Sequence, residues 1–239
     1  MFDALYLSPH FDDVVLSCGG AIHRRVGRGE RVVVVTVFAA PPPNDLSPYA
    51  KSLHARWGAL QLPQGSKPSG SLPFDRARED REALKRLGAE CVHLNYHDCI
   101  YRHAEGRWLY DSEESLWGEV SPLEMFLVDA LATAFNDVAP LKPTAEVWSP
   151  FAIGDHVDHK LVKLAASAWR KRSKWRFRYY AYYPYSESVV GGIEIPLSDS
   201  DRQAKIESIR CYSSQLSTFW KDEAEMADRV SRWTERVFE

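Results

Sequence analysis

Residues 4–38 read ALYLSPHFDDVVLSCGGAIHRRVGRGERVVVVTVF. The run Val32 to Phe38 is β-branched and apolar without alternation, the pattern of a strand buried on both faces of a parallel sheet. Ala4 to Leu7 is a shorter apolar run of the same kind. Between them, about Val14 to Val26 reads as a helix whose composition is interrupted by Gly19 and Gly20. Strand, helix and strand in quick succession open a βαβ unit.

The alternation continues outward from this unit. Arg76 to Gly88 reads as a charged amphipathic helix with a glycine stop, and Cys91 to Leu94 as a strand. Leu123 to Val138 and Asp155 to Trp169 read as helices, with a strand at Ala145 to Trp148 between them. Phe177 to Tyr183 reads as a further strand, followed by a hairpin near Gly191-Gly192 and two helices at Asp199–Arg210 and Asp222–Arg236. Pro41 to Pro73 reads as a long loop containing a short helix at about His54 to Leu60. The pattern predicts one α/β domain over residues 1–239, a doubly wound, mostly parallel sheet with helices on both faces. In such sheets ligands sit outside the carboxyl ends of the strands. That rule brings SPHFDD, the proline-rich loop, His97-Asp98 and SPFAIGDHVDH to one rim.

Composition narrows the function classes. Thirty basic residues against thirty-three acidic ones, a net charge of -3, argue against a nucleic-acid binder. The four cysteines are scattered, without a CxxC pair, which fits a reducing cytoplasm. MFDALYLSPHFDD has no basic n-region of a secretory signal, and the longest apolar run, Val32 to Ala40, is too short for a membrane helix. The expectation is a cytoplasmic enzyme without a membrane span.

The chemistry lies in His10-Phe11-Asp12-Asp13 and His156-Val157-Asp158-His159, each just after a strand and at the opening of a helix. A catalytic zinc site takes three protein ligands from different segments and leaves a position for water. Two imidazoles and one carboxylate drawn from the two motifs meet that need, and the remaining aspartate of the first pair is then available as a base. A non-haem iron oxygenase using His10, Asp12 and His159 is a rival on the same residue types. A nucleotide-binding or transferase domain and a non-catalytic metal binder are others.

The two motifs resemble a known family. SPHFDDVVLSCGG is similar to the PHPDDE or AHPDDE motif of the PIG-L/LmbE-like N-deacetylases, and GDHVDHK to their HPDH motif. Arg76-Ala-Arg-Glu79, Asp98 after the third strand, and Lys205 through Tyr212-Ser-Ser-Gln215 resemble further family segments in the same order. The resemblance implies a Rossmann-like fold and a zinc-dependent hydrolase that removes acetyl from an N-acetylated amino sugar of the N-acetylglucosamine type. It implies His10, Asp13 and His159 as metal ligands, with Fe2+ or another divalent ion as an alternative to Zn2+. Asp12 would be the general base. His156 would stabilise the oxyanion or protonate the leaving amine, with Asp158 orienting it and favouring its imidazolium form. Arg76 and Asp98 would hold substrate. Bound zinc polarises an amide and lowers the pKa of its water toward about 7. Phe11 and Val14 depart from the family's proline and glutamate. A related amidase would cleave a larger sugar-linked amide.

Weaker signals remain. Trp169 to Arg178 holds six basic residues interleaved with aromatics and reads as a solvated helix end running into a strand. His93, His97, Cys99 and His103 match no zinc-site spacing and read as pocket lining or structure. Ser17-Cys18-Gly19-Gly20 lacks the spacing of a phosphate loop. The segments Pro41–Pro73 and Gly106–Pro122 are expected to set the sugar conjugate. The aromatic content leaves room for a homo-oligomer.

Overall fold

A computed structural model describes residues 1–61, 75–184 and 189–239. The elements run β1 (Phe2–Ser8), α1 (Asp13–Gly27), β2 (Val32–Thr36), α2 (Pro48–Gln61), α3 (Arg76–Arg86) and β3 (Glu90–His93). A two-strand hairpin, β4 (His103–Ala104) and β5 (Arg107–Trp108), precedes α4 (Glu113–Leu116), α5 (Leu127–Asp137), β6 (Leu141–Pro150), α6 (Val157–Arg170) and β7 (Arg176–Tyr180). The chain closes with β8 (Ile193–Glu194), α7 (Asp199–Ile209), α8 (Leu216–Phe219), α9 (Glu223–Arg232) and β9 (Arg236–Phe238).

The main sheet has the order β3-β2-β1-β6-β7-β9-β8. Its first five strands are parallel, and β9 and β8 add an antiparallel edge. Successive side chains of a strand face opposite ways, and the core divides accordingly. Ala4, Tyr6, Val32 and Val34 pack with α1, α3, α7 and α9 on one face. Leu5, Leu7, Val33, Val35, Val147 and Phe177 pack with α5 and α6 on the other. The lack of alternation at Val32–Thr36 is explained: all five residues are buried. This is the doubly wound, mostly parallel α/β architecture, and no helix among the described residues is long and apolar enough to cross a membrane.

Helix α1 continues through Gly19 and Gly20, which serve close packing. A Cβ on Gly20 would lie 2.5 Å from Leu197 Cδ1, and one on Gly19 would lie 3.1 Å from Lys205 Cγ. The glycines admit α7 and the residues before it against α1.

Four expectations change. The short helix in the long loop begins at Pro48, where proline suits a first helical turn and Ser47 Oγ accepts from the Ala50 N–H at 2.9 Å. Residues 62–74 of that loop lie outside the described residues. The helix expected from Leu123 starts instead as a 3₁₀ turn, Pro122–Glu124, and becomes α-helical at Leu127. The hairpin placed at Gly191-Gly192 is not local: β8 pairs with β9, and residues 185–188 lie outside the described residues. The last helix stops at Arg232, not Arg236, because Trp233 turns extended and buries against the core, and the chain returns as β9. Within the basic stretch ending at Arg178, Arg172, Arg176 and Arg178 form ion pairs with Asp129, Glu146 and Glu239.

Lys205 and Glu235 are fully buried with Nζ 2.8 Å from Oε1, and the Glu235 carboxylate also accepts the N–H groups of Gly20 and Ala21 at 2.9 Å each. This pair fastens α7 and the start of β9 to α1. Removing one partner leaves an uncompensated buried charge, so Lys205→Met is expected to cost about 3–5 kcal/mol in urea unfolding. The double change Lys205→Met/Glu235→Gln should recover part of that loss.

Candidate active site

The carboxyl ends of β1 and β6 lie side by side in the sheet, and the chain leaves them toward opposite faces, into α1 and α6. Such a switch point opens a crevice. Both His/Asp motifs fall there.

After β1, Ser8 Oγ donates to the His10 carbonyl (2.7 Å) and accepts the Val14 N–H (3.1 Å). The His10 N–H donates to Asp13 Oδ2 at 2.8 Å. Asp12 sits at the N-cap of α1 with φ +82°, a left-handed conformation rare for a residue with a side chain. Such backbone carries about 1–3 kcal/mol of strain and clusters at functional sites.

The Asp13 carboxylate lies between two imidazoles: Oδ2 is 3.3 Å from His10 Nδ1 and 3.2 Å from His159 Nε2. Donor atoms of these three residues all lie within 4.8 Å of one another. Zinc bonds of about 2.0–2.1 Å at tetrahedral angles place donors roughly 3.3–3.4 Å apart. Donor types and spacing therefore fit a divalent metal. The grouped carboxylate is Asp13 and not Asp12, so the oxygenase set His10, Asp12 and His159 is not the one that the fold assembles.

Asp12 is buried beside the group and faces Arg76, whose Nη2 is 3.8 Å from Oδ2. Burial raises its carboxyl to about 8, against the pull of Arg76 and with Asp13 adding to the rise. Arg76 opens α3, its guanidinium 5.5 Å from the Phe11 ring centroid and 5.9 Å from that of Trp57. Its buried Nε has no acceptor among the described residues. Asp98 caps the turn Cys99–Tyr101 and stands 3.7 Å from His10 Nε2.

Asp158 is placed differently from expectation. Its carboxylate meets His10 Nε2 at 2.8 Å, accepts the Cys99 N–H at 3.0 Å and pairs with Arg102 Nη1 at 2.6 Å. It orients His10, not His156. His156 caps α6, where its Nδ1 accepts the Asp158 N–H at 3.3 Å, leaving the ring proton on Nε2. Burial, with the imidazoles of His10 and His159 nearby, lowers His156 to about 3. Burial disfavours the charged form of His10, but Asp98, Asp13 and Asp158 together raise it well above the usual range.

Several site residues escape sequence reading. Arg102 is held by Glu124 at 2.7 and 3.2 Å, and Glu124 also accepts from the Tyr110 hydroxyl. The rings of Tyr182 and His159 are 4.3 Å apart, and Trp117 meets His156 edge-on at 5.0 Å. A half-buried arginine four residues past a candidate aspartate is a weak signal; nothing local names its partner 56 positions on. Two cavities flank the group, of about 340 and 370 Å3, and His10, Arg76 and Asp98 line both.

A doubly wound sheet with imidazoles and carboxylates gathered at its switch point matches the class of α/β proteins that hold a divalent metal at strand ends. The family model described as PIG-L, GlcNAc-PI de-N-acetylase, matches residues 5–169, and the chain belongs to that family. It is 28% identical over 187 residues to a 2'-N-acetylparomamine deacetylase of Niallia circulans, covering 76% of this chain and 66% of that protein. It is 31% identical over 163 residues to a protein of the same description from Streptomyces fradiae, covering 66% of this chain and 48% of that protein. The chain thus spans less than two thirds of the length of these relatives. The crystal structure of the zinc-inhibited form of teicoplanin deacetylase Orf2 superposes with a TM-score of 0.80 at 26% identity, covering 98% of this chain and 96% of that one.

Carboxylates that orient metal-binding histidines typically contribute 10–100-fold to metal affinity. Asp158→Asn is therefore expected to weaken divalent-metal binding by about 10–100-fold, measured by competition with a chromogenic chelator.

Proposed function

We propose that the protein is a hydrolase that removes the acetyl group from an N-acetylated amino sugar carried on a larger conjugate, with zinc as its metal. The observation that carries this reading is the Asp13 carboxylate set between His10 and His159 with Asp12 beside the group and outside it. His10, Asp13 and His159 would hold the metal. Such an ion polarises an amide oxygen and acidifies water at neutral pH, both of which amide hydrolysis needs.

The chain's own groups supply the rest. Asp12 takes the proton of the attacking water. Its raised pKa places it nearer neutrality than an ordinary carboxyl, and a cation alongside brings it back toward the ionised form. Arg76, fixed against Phe11 and Trp57, keeps a cationic partner beside Asp12. His156, with Nδ1 occupied by a backbone N–H, offers Nε2–H as a hydrogen bond to the developing oxyanion, and the proton that Asp12 takes from water passes to the departing amine. This assignment favours the neutral imidazole over the imidazolium that a carboxylate contact would have supported.

The cavities support a sugar conjugate as substrate. Trp57, Trp117, Tyr183 and Phe219 line the space around the group, and aromatic faces pack well against the apolar faces of sugar rings. The relatives named above are described as 2'-N-acetylparomamine deacetylases and a teicoplanin deacetylase, which supports an N-acetyl group on an amino sugar as the target.

Chelation is expected to abolish acetate release from N-acetylated amino sugars, and zinc to restore it. Asp12→Asn should retain the metal and lose about 10²–10⁴-fold in kcat, whereas Asp13→Asn should lose metal and turnover together. Normal acetate release by Asp12→Asn would remove Asp12 as base, and activity indifferent to chelation would remove the metal mechanism.

A further inference from the structure

A second set of donor atoms lies on the outer side of Phe11. Cys91 and His93 occupy alternate positions on β3, the edge strand, and Asp80 projects from α3. His93 Nε2 is 2.8 Å from Asp80 Oδ2 and 3.1 Å from Cys91 Sγ, and Cys91 Sγ is 3.9 Å from Asp80 Oδ2. We propose that Asp80, Cys91 and His93 form a second metal site, one that takes a borderline or soft divalent cation such as Zn2+, Co2+ or Cd2+.

Three different donor atoms converge here. Without an ion, a shared His93 Nε2–H and a thiol proton given to Asp80 satisfy the contacts. A cation would replace those protons and draw a lone pair from all three atoms. The Asp80 carboxylate is already anchored: Oδ1 accepts from the Tyr212 hydroxyl at 2.6 Å and Oδ2 from the Thr36 hydroxyl at 2.9 Å. Such outer bonds hold a metal-binding carboxylate in place. Cys91 and His93 are partly exposed on an edge strand, which gives an ion a way in.

The donor types select the ion. Sulfur and imidazole favour zinc-like cations over Mg2+ or Ca2+. Zinc–sulfur bonds of about 2.3 Å and zinc–nitrogen or zinc–oxygen bonds of about 2.0–2.1 Å put such donors roughly 3.3–3.6 Å apart. Shifts of about half an ångström bring the three atoms into that range. Arg81, exposed, with Nη1 3.4 Å from His93 Nδ1, has to swing away. On binding, the thiol proton passes to solvent and the imidazole proton moves from Nε2 to Nδ1, a net release of one proton per cation. A nucleophilic or redox role for the thiol is disfavoured, since burial and the Asp80 carboxylate push it up to about 12. The site does not depend on the proposed deacetylation. It adjoins the active site through Phe11, whose ring His93 meets edge-on at 5.1 Å.

Cobalt titration of the full chain separates the two sites, because His10, Asp13 and His159 contain no sulfur. The expected result is two equivalents of Co2+ bound, one with an intense thiolate-to-metal charge-transfer band in the near ultraviolet. Asp13→Asn and Cys99→Ser should keep the band, while Cys91→Ser and His93→Ala should lose it and still bind one equivalent. Circular dichroism identifies any variant that is not folded. Absence of the band in the wild-type chain at excess cobalt, or its persistence in Cys91→Ser, overturns the proposal.

Discussion

Parallel pairing of β1 with both β2 and β6 is the constraint on which the remaining structure rests. A strand in that central position is buried on both faces, so its side chains belong alternately to two separate cores. The chain then leaves β1 and β6 toward opposite sides, and the departing segments open a gap between them. Leu5 and Tyr6, paired with Val147 and Trp148, set the register that brings Ser8 and Pro150 level. From there the turn at His10–Asp13 and the cap at His156 face each other across one crevice.

That crevice concentrates charge where water is scarce. Asp12, Asp13, Asp98 and Asp158 meet three histidines and two arginines, and isolated burial of any one of these carboxylates would be strongly unfavourable. Each has a specific answer. Asp158 has Arg102, His10 and a backbone N–H, and Asp98 caps a turn. Asp13 has two imidazoles and the His10 N–H. Asp12 pairs, among the described residues, with a guanidinium at 3.8 Å, with the charge of His10 farther off, and sits on left-handed backbone. The least compensated carboxylate is also the most strained. A cation beside it relieves the shortage of positive charge, which ties the electrostatics of the site to the chemistry proposed for it.

Sequence reading reached the sheet and the two motifs because both are local. Val32–Thr36 shows double burial in its composition, and a His/Asp cluster at a strand end reports its own position. What escaped depends on contacts remote in sequence. Asp158 looked like a partner for His156, two residues away, yet the helix turns its carboxylate to His10 and Arg102. Trp233–Arg236 looked like the end of the last helix from its charged neighbours, but burial of Trp233 and Val237 turns this stretch extended and into β9. The helix expected at His54–Leu60 begins six residues earlier because Ser47-Pro48 is a start signal that the surrounding prolines obscured.

Helix α3 shows how segments that looked independent act as one unit. Arg76 at its first turn reaches Asp12, and Glu79 one turn on accepts from the hydroxyls of Ser213 and Ser214 and from the Ser214 N–H. Asp80 takes the hydroxyls of Tyr212 and Thr36. One short helix therefore anchors residues 212–214, and Gln215 follows directly into the lining of the larger cavity. The Arg76–Glu79 segment and the Tyr212–Gln215 segment, more than a hundred positions apart, are tied by buried hydrogen bonds to carboxylates. Each such bond is worth about 1.5–3 kcal/mol, so α3 cannot shift without dragging both Arg76 and Gln215. The placement of those two side chains against the His/Asp group is thus a property of the packed helix and not of the loops that border it.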